Sequence, residues 1–233
     1  ALSTVSARST LCGICFDLKN NNLAGADGNR LHMVSLNEDA KLKRVDTLTI
    51  VPAKILSVGK YLTGNVMLIE DEKKEDQSTV FELAVPGCIQ CCVTSQSIEG
   101  QYPHYQSVVP VDYKNKFVTR TDDIIPILRK ALAHVGDDYR VVFVEFGAET
   151  KISAKAYPSA TTKTGAYSGI VKGIYTGAPH KGAVNPDSLL DCMQTLPPGV
   201  VEIHLAEEND KGWLIKGQQG FTVVIMPVEI DKP

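Results

Sequence analysis

Val200-Val201-Glu202-Ile203-His204-Leu205, Gly212-Trp213-Leu214-Ile215-Lys216 and Phe221-Thr222-Val223-Val224-Ile225-Met226 follow one another near the end of the chain. Each run is short and rich in β-branched and aromatic residues, which suits a pleated, half-buried surface. The joints between them, Asn209-Asp210-Lys211-Gly212 and Gly217-Gln218-Gln219-Gly220, consist of residues that tolerate positive φ or bond to their own backbone. Runs of this length separated by such joints predict an antiparallel meander over 200–205, 212–216 and 221–229. The last run is apolar enough for the centre of a sheet.

The same pattern extends backward over residues 10–118, where no 12-residue window holds a 3.6-residue period. Strands are predicted at 11–18, 31–36, 45–51, 65–70, 79–85, 88–95 and 107–111. Asn20-Asn21-Asn22, Ala26-Asp27-Gly28-Asn29 and Gly100-Gln101-Tyr102-Pro103 read as turns. The charge run Glu70-Asp71-Glu72-Lys73-Lys74-Glu75-Asp76 reads as a solvated hairpin tip, because its mixed signs cancel within a Debye length.

Two helices interrupt the strands. Ile124, Ile125, Leu128, Ala131, Leu132 and Val135 form one apolar face. Asp122 or Asp123 serves as N-cap, Pro126 falls in the first turn, and Gly136 closes the C-terminus in the left-handed region. The second helix opens on Asn185-Pro186-Asp187, carries Leu189, Leu190, Met193 and Leu196, and stops at Pro197-Pro198. Between the helices, 139–146 reads as a strand covered on both faces.

The fold class that follows is β-rich. It is mainly an antiparallel β sandwich or jelly-roll-like arrangement, with an α+β variant as the other form, and has two inserted helices near 122–135 and 186–196. A single large domain over 1–233 is expected, with an all-β half at 1–115 and an α+β half at 116–233 as the alternative division. At 233 residues the core needs no metal or disulfide to fold.

Lys plus Arg (24) against Asp plus Glu (27) gives a net charge of −3, too slight to steer a polyanion toward the whole molecule. Any such contact needs a local patch, and 151–182 supplies one. From 151 to 185 the chain holds Lys151, Lys155, Lys163, Lys172 and Lys181 and no acidic residue. Within it Gly165-Ala166-Tyr167-Ser168-Gly169 and Gly173-Ile174-Tyr175-Thr176-Gly177 are near repeats. Glycines beside a tyrosine permit close backbone approach, so N–H groups can cradle an anion next to a stacking ring. Lys163, Tyr167, Lys172, Tyr175, His180 and Lys181 are therefore the candidate residues for binding an anion or partner. The plainer reading of 165–177 is a twisted hairpin whose tyrosines pack on the sheet.

Six cysteines are present: Cys12, Cys15, Cys88, Cys91, Cys92 and Cys192. Cys12-Gly13-Ile14-Cys15 and Cys88-Ile89-Gln90-Cys91 have the two-residue gap of a zinc knuckle. In an extended strand, however, residues three apart point to opposite faces, so buried reduced thiols are expected, with no metal and no cofactor. Reduced thiols imply an intracellular compartment. No stretch reaches the 18 apolar residues of a membrane span, and the first eight residues lack the order of a signal peptide.

No Gly-x-Ser-x-Gly elbow or His-Glu-x-x-His is present, and the five histidines are scattered. The leading expectation is thus a non-enzymatic structural protein: a self-associating homo-oligomeric subunit of a virion shell or matrix, with 151–182 as its contact segment. Two alternatives stand beside it. One is an enzyme whose site gathers scattered Cys, His and Asp, with His180 and Asp137 or Asp138 as a conceivable pair. The other is a module that binds nucleic acid or another anion through 151–182.

Overall fold

The computed structural model describes Leu2 and residues 6–36, 48–53, 67–71, 80–84, 93–136, 140–155, 165–207 and 211–229. The chain divides into two compact units, Ala1–Tyr105 and Gln106–Pro233.

In the first unit a 3-10 turn, Ser6–Cys12, leads into β1 (Gly13–Asp17). β1 pairs antiparallel with β2 (Asn22–Ala26) on one side and β4 (Leu48–Pro52) on the other, and β2 pairs with β3 (Arg30–Ser35). The turns are held by aspartates. Asp17 accepts from the Asn20 N–H at 3.1 Å and from Asn20 Nδ2 at 2.8 Å. Asp27 accepts from the N–H groups of Asn29 and Arg30, both at 3.0 Å, and pairs with Arg30 Nε at 2.7 Å. Both lie where the sequence predicts turns. β5 (Met67–Asp71), β6 (Val80–Ala84) and β7 (Val93–Gln96) form a second antiparallel meander, with Asp71 opposite Val80. Residues 72–76 of the expected hairpin tip lie outside the described residues.

The second unit runs β8 (Asn115–Arg120), α1 (Thr121–Leu132), β9 (Val142–Phe146), β10 (Thr150–Lys155) and β11 (Ala166–Val171). After β12 (Gly173–Thr176) the same order recurs: β13 (His180–Val184), α2 (Pro186–Thr195), β14 (Val200–Leu205), β15 (Trp213–Lys216) and β16 (Phe221–Ile225). The unit is a βαβββ motif used twice. Each motif lends its first strand to the other: β8 pairs with β14, and β13 pairs with β9. Two antiparallel sheets result, ordered β12-β8-β14-β15-β16 and β11-β10-β9-β13, with α1 and α2 packed on each other. Between them lies a core containing Phe117, Leu128, Ile152, Leu189, Met193, Ile203, Trp213 and Ile215.

This is the expected β-rich architecture, in its α+β form, with two complete helices among the described residues. α2 follows its sequence signals closely: Asn185 is the N-cap, its side chain accepts from the Ser188 N–H at 3.0 Å, and Pro186 opens the helix. α1 departs from them. It begins at Thr121, so Asp122 and Asp123 fall within its first turn instead of capping it, and Pro126 lies in the second turn. The start is held by tertiary bonds instead: the Thr121 N–H donates to Gly199 O at 2.9 Å and Thr121 Oγ1 accepts from the Gly199 N–H at 3.0 Å. At the other end the helix tightens into 3-10 bonds, His134 N to Ala131 O among them, and Gly136 does not take positive φ.

Other expectations need correction. Residues 107–111 form no strand, because Tyr105–Val108 is a 3-10 turn. β8 occupies 115–120, where none of the predicted strands falls. The segment 165–177 is not a hairpin: β11 pairs with β10 in one sheet and β12 with β8 in the other. Lys172 is the residue at which the chain changes sheets. Gly173 permits the crossing, since a Cβ there would lie 2.5 Å from Phe117 Cε2 and from Val118 O.

Candidate nucleic-acid interface

The pleat sorts the interleaved lysines and tyrosines of 151–182 onto different faces. Along β10, Ile152 and Ala154 are buried while Lys151 and Lys155 are exposed. Tyr167 lies opposite Ala154 and thus on the inner face, where its ring stacks on His134 with centroids 5.4 Å apart. Tyr175 stacks on Phe146 at 5.9 Å, and its hydroxyl donates to Ala178 O. Both tyrosines therefore support the packing from inside. Lys181 is exposed and pairs with Glu145 at 2.9 Å. Lys172 is exposed, with its carbonyl held by Thr119 Oγ1 at 2.6 Å.

His180 is buried beside the Phe146 ring at 6.2 Å, and burial pushes its pKa below the usual histidine value. Of the candidate residues, Tyr175 and His180 come together around Phe146. Tyr167 and Lys181 stand in separate surroundings, and Lys163 lies outside the described residues. Asp137 and Asp138, the conceivable partners of His180, also lie outside them.

Sequence reasoning passed over the cations of α1. Arg129 and Lys130 are exposed in its last turn, and among the described residues neither lies within ion-pair distance of a carboxylate. Several other cations are engaged: Lys114 pairs with Glu207 at 2.6 Å, Arg140 with Asp187 at 2.6 Å, and Lys116 with Glu202 at 3.5 Å. Lysine and arginine in a last turn also complement the helix dipole, so their presence in the sequence alone does not mark a binding face. In the second motif the corresponding turn of α2 carries Gln194 and Thr195.

The cysteine reading divides. Cys15 is fully buried in β1, where burial and the nearby Asp17 carboxylate push its thiol up to about 12. Cys192 is buried in α2 and Cys12 is half-buried at the end of the 3-10 turn. Cys88, Cys91 and Cys92 lie outside the described residues. Among the described residues no group of three or more His, Cys, Asp and Glu side chains is placed to hold a metal. His204 Nε2 contacts Glu202 Oε2 at 2.9 Å on the face of β14, and Lys116 shares the same carboxylate. No helix among the described residues is long and apolar enough to cross a membrane.

No protein-family model and no curated protein matches the sequence. The fold is matched by solved structures over nearly the whole chain. A DNA polymerase III subunit beta from Pseudomonas aeruginosa is similar with a TM-score of 0.82 and 21% identity, covering 98% of this chain and 61% of that one. A DnaN sliding clamp from Bartonella birtlesii, bound to griselimycin, gives 0.81 and 21% over 99% of this chain and 61% of that one. The DNA polymerase III beta subunit of Thermotoga maritima gives 0.78 and 16%, with 99% and 60% covered. The chain thus spans about three-fifths of the clamp chains it resembles. This likeness overturns the expectation of a structural shell or matrix subunit and, with it, virion association. The Gly/Tyr segment that suggested a contact surface instead packs its tyrosines inward. The fold the chain shares is that of DNA polymerase sliding clamps.

Proposed function

We infer that the chain is a clamp-type subunit that holds DNA without reading its sequence. The carrying observation is the likeness to sliding clamps over 98–99% of the chain at TM-scores of 0.78 to 0.83. This is the nucleic-acid alternative of the sequence reading, moved to a different surface. Arg129 and Lys130 on α1 are the assigned phosphate contacts, because they are exposed cations that no described carboxylate neutralises. Lys163 and Lys172 remain further expected contacts from the basic segment. Tyr167 and Tyr175 act as supports for the strands that carry it.

A grip on phosphates releases counterions, so its signature is salt dependence. Replacing Arg129 and Lys130 by Glu is expected to weaken binding to a 30-base-pair duplex and to flatten log K against log salt by about 2. Fluorescence anisotropy at several salt concentrations reads both quantities. Unchanged affinity and slope would remove α1 from the interface.

Self-association belongs to the same reading, since holding DNA by surrounding it calls for more than one copy or a further domain. Sedimentation equilibrium with a mass above that of the single chain supports it, and a monomer at millimolar concentration opposes it. An intracellular location is part of this proposal too, supported by the buried thiol of Cys15.

A further inference from the structure

The outer face of the β11-β10-β9-β13 sheet carries a feature that DNA holding from α1 leaves unused. α1 packs on β10 and β11, where Ile152 and Ala154 join the core with Ile124, Leu128 and Ala131. The opposite face presents Lys151, Lys155 and Lys181, all exposed, around the carboxylate of Glu145, which Lys181 engages at 2.9 Å. Register sets their arrangement. Glu145 pairs with Lys151 on one side and with Lys181 on the other, so the two lysines stand two strands apart, about 10 Å. Lys151 and Lys155 are four residues apart on one strand, about 13 Å.

Apolar groups lie on the same face. Ile170, directly opposite Lys151, is 56% exposed, and Phe143, opposite Ser153, is half-buried. Lysines spaced 10 to 13 Å apart around partly exposed apolar side chains match the width of an α-helix, about 10–12 Å with its side chains.

We propose that this face docks an acidic amphipathic helix of a protein partner, its apolar stripe on Phe143 and Ile170 and its flanking carboxylates on Lys151, Lys155 and Lys181. A protein fits better than a second nucleic acid for two reasons. Glu145 sits among the lysines and would repel a continuous phosphate backbone, whereas a protein segment can set a donor against it. The tyrosines that would stack bases, Tyr167 and Tyr175, pack on His134 and Phe146 instead.

The test uses a fluorescein-labelled 15-residue peptide with a leucine stripe flanked by glutamates, the same composition scrambled, and the single strand dT20. The stripe peptide is expected to bind the full chain at least about tenfold more tightly than its scramble, more weakly as salt rises. Replacing Lys151, Lys155 and Lys181 together by Glu should raise its Kd at least about tenfold and flatten the salt dependence. Ile170→Ser should raise Kd at least about threefold with the salt dependence kept, and circular dichroism confirms that both variants fold. The proposal is overturned if the scramble binds equally well, or if the lysine variant loses dT20 and keeps the peptide. It is equally overturned if Ile170→Ser abolishes self-association while peptide binding stays unchanged, since the occupant is then a second copy.

Discussion

Asp17 and Tyr105 show how a buried charge is kept in the first unit. Burial pushes the Asp17 carboxyl up, but hydrogen bonds from the Asn20 side chain, the Tyr105 hydroxyl at 2.7 Å and the Asn20 N–H outweigh it and hold the pKa below the ordinary 3.8. A depressed carboxylate contributes stability above its unfolded pKa and loses it as pH falls through the folded one. Tyr105→Phe should therefore destabilise the first unit by about 1.5–3 kcal/mol at neutral pH, with the difference closing in strong acid. Hydrogen exchange of the β1 amides measures it, and unchanged protection would show that the bond contributes nothing.

His180 has the opposite dependence. Burial beside Phe146 favours the neutral imidazole, so below pH 6.5 the unfolded chain binds the proton more readily and stability falls. Each unit of depression is worth about 1.4 kcal/mol. Trp213, the single tryptophan, contacts Phe146 at 5.4 Å and reports unfolding of this unit. Urea midpoints followed by its fluorescence should drop between pH 7.5 and 5.5, and His180→Leu should lose part of that drop. Equal slopes in both proteins would mean that His180 stays neutral in neither state or in both.

Among the elements, α2 offers the sharpest local test. The Asn185 side chain accepts from the Ser188 N–H, a donor at the helix start that has no partner within the helix. Asn185→Ala should cost about 1 kcal/mol, read from the same fluorescence midpoint, and no change would mean the cap is replaced by water. Elements whose signals are local were legible from the residues: α2 from its cap and proline, the 200–226 meander from its runs and joints. Elements set by distant partners were not. β12 exists because β8 is beside it, and α1 starts at Thr121, where Gly199 O accepts from the Thr121 N–H and the Gly199 N–H donates to Thr121 Oγ1. The candidate site shows the same limit. Composition located the lysines and tyrosines of 151–182, but only the pleat separates exposed Lys151 and Lys155 from inward Tyr167.

At the scale of the molecule, the doubled βαβββ motif was hidden in the sequence because its two copies bury different positions: β11 is exposed along most of its length, whereas β16 ends in three buried residues. α1 has 12 residues with a proline inside, whereas α2 has 10 with a proline at the front. The proposed clamp holds DNA by its backbone. Binding to two 30-base-pair duplexes of unrelated sequence, titrated from 50 to 300 mM salt, tests it most directly. Equal affinities that fall together along one steep salt line are predicted. Absence of binding at 50 mM salt, or a preference of more than about tenfold for one sequence, would contradict it.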